Sequence, residues 1–303
     1  MTIGTFDGVH LGHLKVLDRL KELALEAEGE SVVFTFHPHP RVVVRPEEQN
    51  LRLLTTLDEK VERFKKAGID HLIIFPFTTE FAALGYDDFV KKVLVDQIKT
   101  HTLVVGYDHR FGKDREGGFE YLKSCAELYR FEIEKLDVLL LNEANISSTR
   151  IRTALENGSV DLASLLLGYN YHLTGTVVEG QRLGRTIGFP TANIEASDVN
   201  KLIPGYGVYA VRVRSDGILY NGMLNIGTRP TFNNNADNRS IEVNIFDFNG
   251  NIYGGELRIF FIAKIRDEHK FPDKNALIAQ LHTDRQVAQK LLNEKLDSLQ
   301  INS

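Results

Sequence analysis

Up to about residue 170 the hydrophobic positions follow two alternating periods. Val32 to Phe36, Leu72 to Phe75 and Leu103 to Val105 are short continuous apolar runs, which suit strands buried on both faces. Between them Leu14, Leu17, Leu20, Ala24 and Ala27 recur at helical spacing, and Leu57 to Ala67 and Tyr86 to Gln97 predict further helices. Strand and helix in alternation predict a doubly wound, Rossmann-like α/β domain. After Tyr171 the pattern turns to β with hairpin signals. YHLTGTVVEG, GVYAVRVRS, ILYNGMLNIG, IEVNIFDF and ELRIFFIAKI read as five strands, with turns at Asp216-Gly217 and Asn249-Gly250. They predict a small antiparallel β-barrel. The chain is then expected to end in helices: Asp273 can cap one, and Thr283 with Gln286 forms a capping box for another reaching about Leu299. The expected domains are residues 1–169 and 170–303.

Composition narrows the possible classes. A chain of 303 residues exceeds what one core usually serves, in keeping with two domains. With 36 Lys+Arg against 41 Asp+Glu, a net charge of −5 and no run of like charge long enough for a nucleic-acid tail or membrane patch, neither nucleic acid nor a membrane surface is an expected partner. The single cysteine, Cys125, excludes a disulfide framework and reads as a packed core residue. With no leader-like segment and no 18-residue apolar run, the cytoplasm is the expected location.

Four stretches of the first domain carry candidate chemistry. GTFDGVHLGH, Gly4 to His13, places three glycines and two histidines on a turn entering a helix. Glycines let a backbone approach phosphate closely, a helix N-terminus offers unpaired N–H groups, and His10 and His13, three apart, share one helix face. FTFHPHP, Phe34 to Pro40, leaves His37 and His39 at the sheet edge. Metal ligation is one reading of that pair, and a stiff loop supporting a pocket is the favoured one. VVGYDHRFGKDREGG, Val104 to Gly118, reads either as a phosphate or base loop using Arg110, Lys113 and Arg115, or as a solvated loop. ISSTRIRTALENG, Ile146 to Gly158, reads as a helix capped by Ser147 or Ser148 and stopped by Gly158. Arg150 and Arg152 in its first turns oppose the macrodipole, a conflict that a bound polyphosphate would remove.

GTFDGVHLGH, FTFHPHP, GYDHRFG and ISSTRIR, in this order, resemble the nucleotidyltransferase half of bacterial bifunctional FAD synthetases. GQRLGRTIGFPTAN (Gly180 to Asn193), GVYAV, NIGTRPTF, EVNIFDFNGNIYG and KIRDEHKFPD resemble their riboflavin kinase barrel. The likeness covers essentially the whole chain. It implies ATP-dependent phosphorylation of riboflavin to FMN, then adenylylation of FMN to FAD with release of pyrophosphate. Both steps are expected to use magnesium.

Site residues follow from the resemblance. It assigns His10 and His13 to the ATP phosphates, with Gly4, Phe6, Asp7 and Gly8 in the same turn, and Ser147, Ser148, Thr149 and Arg152 on the leaving pyrophosphate. In the barrel, Thr191 and Asn193 of the PTAN segment take magnesium and ATP, their hydroxyl and amide oxygens being hard donors. Glu242 is the base for the ribityl hydroxyl; alternation with Ile241, Val243 and Ile245 turns it from the apolar row without separating a cleft carboxylate from a solvated one. Gly180 and Gly184 belong to a flap near ATP, whose glycine spacing and Arg185 exclude a Walker loop. Arg266 and Asp108 are assigned to the flavin. Only Met1, Thr2 and Ile3 precede Gly4, so the first strand is expected to be short, and adenylyl transfer to suffer for want of a further N-terminal segment. The alternatives are a kinase with weak or lost adenylyltransferase activity, and a flavin- or nucleotide-binding regulator without turnover.

Overall fold

The computed structural model describes residues 1–44, 51–106, 118–136, 146–180, 184–228 and 239–294. The chain divides into two compact units, residues 1–148 and 149–303. In the first, five parallel strands, β1 (Thr2–Ile3), β2 (Val32–His37), β3 (His71–Pro76), β4 (Thr102–Val105) and β5 (Glu132–Lys135), stand in the order β3-β2-β1-β4-β5. β5 carries no apolar run, because among the described residues it is an edge strand paired only with β4. Both faces of the sheet are covered. Leu17 and Leu20 of α1 (Leu11–Glu26) and Phe64 of α3 (Leu57–Lys66) pack with Val33 and Val104 in one layer. Val90, Leu94 and Leu122 of α6 (Phe119–Tyr129) pack with Phe34, Leu103 and Val105 in the other, where Cys125 is also buried. The segments α2 (Pro40–Val44), α4 (Thr79–Ala82) and α5 (Tyr86–Asp88) are short. From Phe89 to Gln97 the predicted helix winds as a π-helix, and its buried residues Phe89, Val90, Val93 and Leu94 recur four and five apart.

The strand order reverses at β1. The chain runs outward through β2 and β3 and returns to β4 on the other side, so the carboxyl end of β1 opens at the switch point where doubly wound sheets bind ligands. Gly4 to His13 begins there.

The second unit contains α8 (Val160–Leu167) and, from residue 149 on, α7 (Ser148–Glu156), two helices that the sequence pattern groups with the first domain. They pack with the barrel: the Gly205 N–H donates to the Leu155 carbonyl at 2.8 Å. Gly158, at φ 77°, ends the helical run where expected, and a Cβ there would lie 2.8 Å from both Lys264 Nζ and the Tyr209 hydroxyl. The barrel closes with six strands rather than the expected five: β6 (His172–Val178), β7 (Ala192–Ala196), β8 (Gly207–Ser215), β9 (Ile218–Thr228), β10 (Arg239–Ile245) and β11 (Glu256–Arg266), in the order β10-β7-β6-β11-β8-β9. β7 is the added strand, and it joins β6 to β10 so that no edge is left open.

The predicted pair of C-terminal helices is one helix, α9 (Lys274–Glu294). Asp273 caps it, accepting from the Ala276 N–H at 2.8 Å. Thr283 is no cap. Its hydroxyl donates to the Ala279 carbonyl inside the helix, which continues because Asp284, Ala288 and Leu292 beyond it are buried. The expected end near Leu299 lies outside the described residues.

Candidate active sites

In the first unit the turn after β1 is held in a costly shape. Phe6, Gly8 and Val9 have φ of 48°, 87° and 35°. A non-glycine residue in this region costs on the order of 1–3 kcal/mol, and a β-branched valine is an outlier there, so neighbouring contacts must fix the turn. Asp7 is one of them. Only 2% exposed, its carboxylate accepts from the Leu54 N–H at 2.9 and 3.1 Å and from the Thr55 N–H at 3.2 Å, while the Gly8 N–H donates to the Thr55 hydroxyl at 3.1 Å. Gly4 lets the Phe6 ring lie on the backbone, since a Cβ there would sit 3.0 Å from Phe6 Cε2. Phe6 in turn meets His13 and Phe64 edge-on at 5.1 and 5.4 Å.

The two histidines meet, but not by sharing a helix face. His10 is the N-cap of α1, its Nδ1 accepting the His13 N–H at 3.3 Å, so a neutral His10 carries its proton on Nε2. The rings stack at 3.6 Å between centroids and 13° between planes. Burial first, then His10, then Lys60, holds His13 well below the ordinary histidine pKa. Its buried Nδ1 has no hydrogen-bond partner among the described residues. No acid occupies the first turn of α1, which leaves the N-terminal N–H groups and the His13 imidazole free of a competing carboxylate, a setting suited to an anion. The Ser148 hydroxyl donates to the Asp7 carbonyl at 2.9 Å, bringing Ser147 and Ser148 to the turn. Thr149 and Arg152 lie on α7, in the part belonging to the second unit. His39 accepts the Arg41 N–H through Nδ1 at 3.2 Å, at the start of α2. Asp108, Arg110, Lys113 and Arg115 lie outside the described residues.

In the second unit the assigned residues gather around β7 and β10. Asn193 stands opposite Glu242 in the ladder, and the Thr191 hydroxyl donates to Glu242 Oε2 at 3.3 Å. Ile241, Val243 and Ile245 are buried and Glu242 is half-buried, so the carboxylate faces the PTAN segment. Two positions on, Asn244 lies on the same strand face, and its Nδ2 donates to the Pro190 carbonyl at 2.6 Å. The alternation that singled out Glu242 also marked Asn244, although the sequence pattern assigned it no role. The glycines are close-packed. A Cβ on Gly180 would lie 1.9 Å from Asn193 Nδ2, and one on Gly184 would lie 2.2 Å from the Phe189 carbonyl oxygen and 3.2 Å from Thr191 Oγ1. Beside them opens a cavity of about 300 Å³ whose walls include Val177, Arg185, Thr191, Phe248 and Tyr253. The turn at Asn249-Gly250 forms part of that wall.

Thr191 and Asn193 offer neutral oxygens beside a carboxylate, a set suited to a hard divalent cation that keeps waters and substrate phosphate as its other ligands. Among the described residues no three His, Cys, Asp or Glu side chains gather as a metal cage. Arg266 is committed elsewhere: its Nε and Nη2 donate to Asp284 at 2.8–3.1 Å, and its Nη1 to the Asp267 carbonyl and His269 Nδ1 at 3.0 and 3.2 Å. A guanidinium so engaged pins the segment after β11 to α9.

The FAD synthetase family model matches residues 1–150 and the riboflavin kinase model residues 167–292. The bifunctional riboflavin kinase/FMN adenylyltransferase of Listeria monocytogenes is 42% identical over 94% of this chain and 90% of that protein. The protein of the same description from Bacillus subtilis is 38% identical over 95% and 90%. A solved structure named as a macrolide-efflux protein from Streptococcus pneumoniae has a TM-score of 0.84 at 32% identity, covering 95% of this chain and 93% of that one. Among the described residues of this chain no helix is long and apolar enough to cross a membrane. With both family models and both curated relatives in agreement along its length, this chain belongs to the bifunctional riboflavin kinase/FMN adenylyltransferase family of flavin cofactor biosynthesis.

Proposed function

We propose that the chain carries riboflavin to FAD in two ATP-dependent steps, one in each unit. In the second unit riboflavin and ATP give FMN and ADP, and in the first FMN and ATP give FAD and pyrophosphate. The observation that carries the reading is the register of Glu242 against Asn193, with the Thr191 hydroxyl on the same carboxylate. Phosphoryl transfer to a hydroxyl needs a carboxylate beside a phosphate and cation site, and this pairing supplies both. Glu242 takes the ribityl hydroxyl proton as that oxygen attacks the γ-phosphorus and ADP leaves. Thr191 and Asn193 would hold magnesium, which when bound neutralises charge on the phosphates, and Gly180 and Gly184 allow the backbone to close on ATP. Arg266 acts as a brace for residues 267–273.

In the first unit His10, His13 and the N-terminus of α1 receive the triphosphate, with Ser147 and Ser148 beside the turn. The FMN phosphate attacks the α-phosphorus and pyrophosphate departs without a covalent enzyme intermediate, so orientation and charge do the catalysis. Asp7 shapes the turn, since Leu54 and Thr55 take up its oxygens. Both steps consume ATP, which supports the expected cytoplasmic location.

Incubating the chain with riboflavin, ATP and magnesium tests the reading by chromatography. FMN should appear first and FAD after it. Accumulation of FMN alone would restrict the activity to the kinase, and neither product would sink the proposal. Gly180→Ala is a sharper probe, because its Cβ cannot share space with Asn193 Nδ2. FMN formation is expected to fall by about tenfold or more, the scale of a displaced positioning group, while FAD formation from supplied FMN is unchanged.

A further inference from the structure

Lys60 is a buried cation of the first unit that the chemistry above leaves unused. It lies just past the capping box in which Thr56 and Glu59 start α3, where the macrodipole opposes a positive charge. Its side chain is only 6% exposed, and burial disfavours an ammonium as well. Both placements work against a lysine, yet Nζ donates to the Thr5 carbonyl at 2.8 Å. That carbonyl immediately precedes Phe6, the first residue of the turn at positive φ. On the far side of Phe6, Asp7 binds the N–H groups of Leu54 and Thr55, which lead into the same helix. The start of α3 therefore grips the turn on both sides of Phe6, whose ring rests edge-on against His13.

We propose that Lys60 is a positioning residue for adenylyl transfer, fixing through Thr5 the turn that presents His10 and His13 and placing a positive charge beside His13. The inference rests on the first unit being the adenylyl-transfer site. Among the described residues, His10 and Lys60 act on His13, and Asp7 acts on Lys60. Burial lowers the Lys60 pKa and Asp7 partly restores it, while Lys60 adds to the forces keeping His13 uncharged. A neutral His13 carrying its proton on Nε2 remains a hydrogen-bond donor to phosphate at neutral pH without burying a second cation.

The test compares Lys60→Met and Lys60→Arg in the full chain, following FAD formation from FMN from the lowest pH at which the parent stays folded up to about pH 8.5, with riboflavin phosphorylation by the same preparation as internal control. Methionine keeps the apolar stem and loses both the charge and the hydrogen bond. It is expected to slow FAD formation by about ten- to a hundredfold and to move the acidic limb of the pH profile upward, as removal of a neighbouring cation lets His13 protonate sooner. Arginine keeps the charge, so its acidic limb should stay at the parent position with the rate within a few-fold. Kinase activity should be unchanged in both. A Lys60→Met enzyme with the parent rate and profile overturns the proposal, as does an arginine variant whose acidic limb moves. Histidine ring NMR, assigned with His13→Gln, supplies a readout independent of turnover. If the parent made no FAD, the adenylyltransferase reading would fail, and an unmoved His13 titration in Lys60→Met or Lys60→Gln would separately refute the link to Lys60.

Discussion

Glu242→Gln is expected to lower FMN formation by roughly 10²- to 10⁴-fold, the usual worth of a positioned general base, while FAD formation from supplied FMN stays at the parent rate. The substitution keeps the size of the side chain and one oxygen able to accept the Thr191 hydroxyl, so the β7/β10 ladder has no reason to change. What it removes is the capacity to take a proton. Thr191 and Asn193 keep their places, so the KM for ATP should move little and the loss should fall on kcat. Following both products from one preparation separates the outcomes. Equal loss of FAD formation would mean that the two sites are not independent, and an unchanged FMN rate would remove Glu242 from the chemistry.

The sequence revealed these sites unevenly, for physical reasons. Buried parallel strands advertise themselves as apolar runs, so β2, β3 and β4 were visible, whereas EIEK at the sheet edge needed only a half-buried Ile133 and left no run to read. β7 was hidden because Pro190 and Asn193 are turn-formers by local preference. Barrel closure overrides that preference, since Asn193 pairs with both Glu242 and Val178. Alternation exposed Glu242 as a residue off the apolar row, but only the strand register brought it against the PTAN segment. His10 and His13 were legible as a pair, although the N-cap geometry that stacks their rings was not. Lys60 carried no sequence signal. In LDEKVERFKK it is one of several charges on a helix, and its burial depends on a turn more than 50 positions away. Arg266 shows the converse case, a motif residue whose contacts are those of a brace.

That brace should be a stability-sensitive polar contact of the second unit. Asp284 is 1% exposed and accepts from Arg266 Nε and Nη2 and from Gln280 Nε2 at 2.9 Å, so its carboxylate ties β11 to α9. Asp284→Ala would leave the guanidinium without its carboxylate. Removing one partner of a buried pair costs about 3–5 kcal/mol, and because the Arg266 side chain is 18% exposed and can recover some hydration, the lower end is expected. For a unit of this size such a loss corresponds to a fall in Tm of roughly 6–12 °C, confined to the unfolding transition of the barrel. Asp284→Asn keeps an acceptor and loses only the charge, so it should cost less, about 1.5 kcal/mol, the low end of the worth of a charge-assisted hydrogen bond. Arg266 also holds the Asp267 carbonyl and His269, so loosening it should raise the KM for riboflavin before kcat falls, with FAD formation from FMN untouched. If Asp284→Ala melts like the parent, the pair is no brace. A rise in the KM for riboflavin at unchanged Tm would instead return Arg266 to direct contact with the flavin.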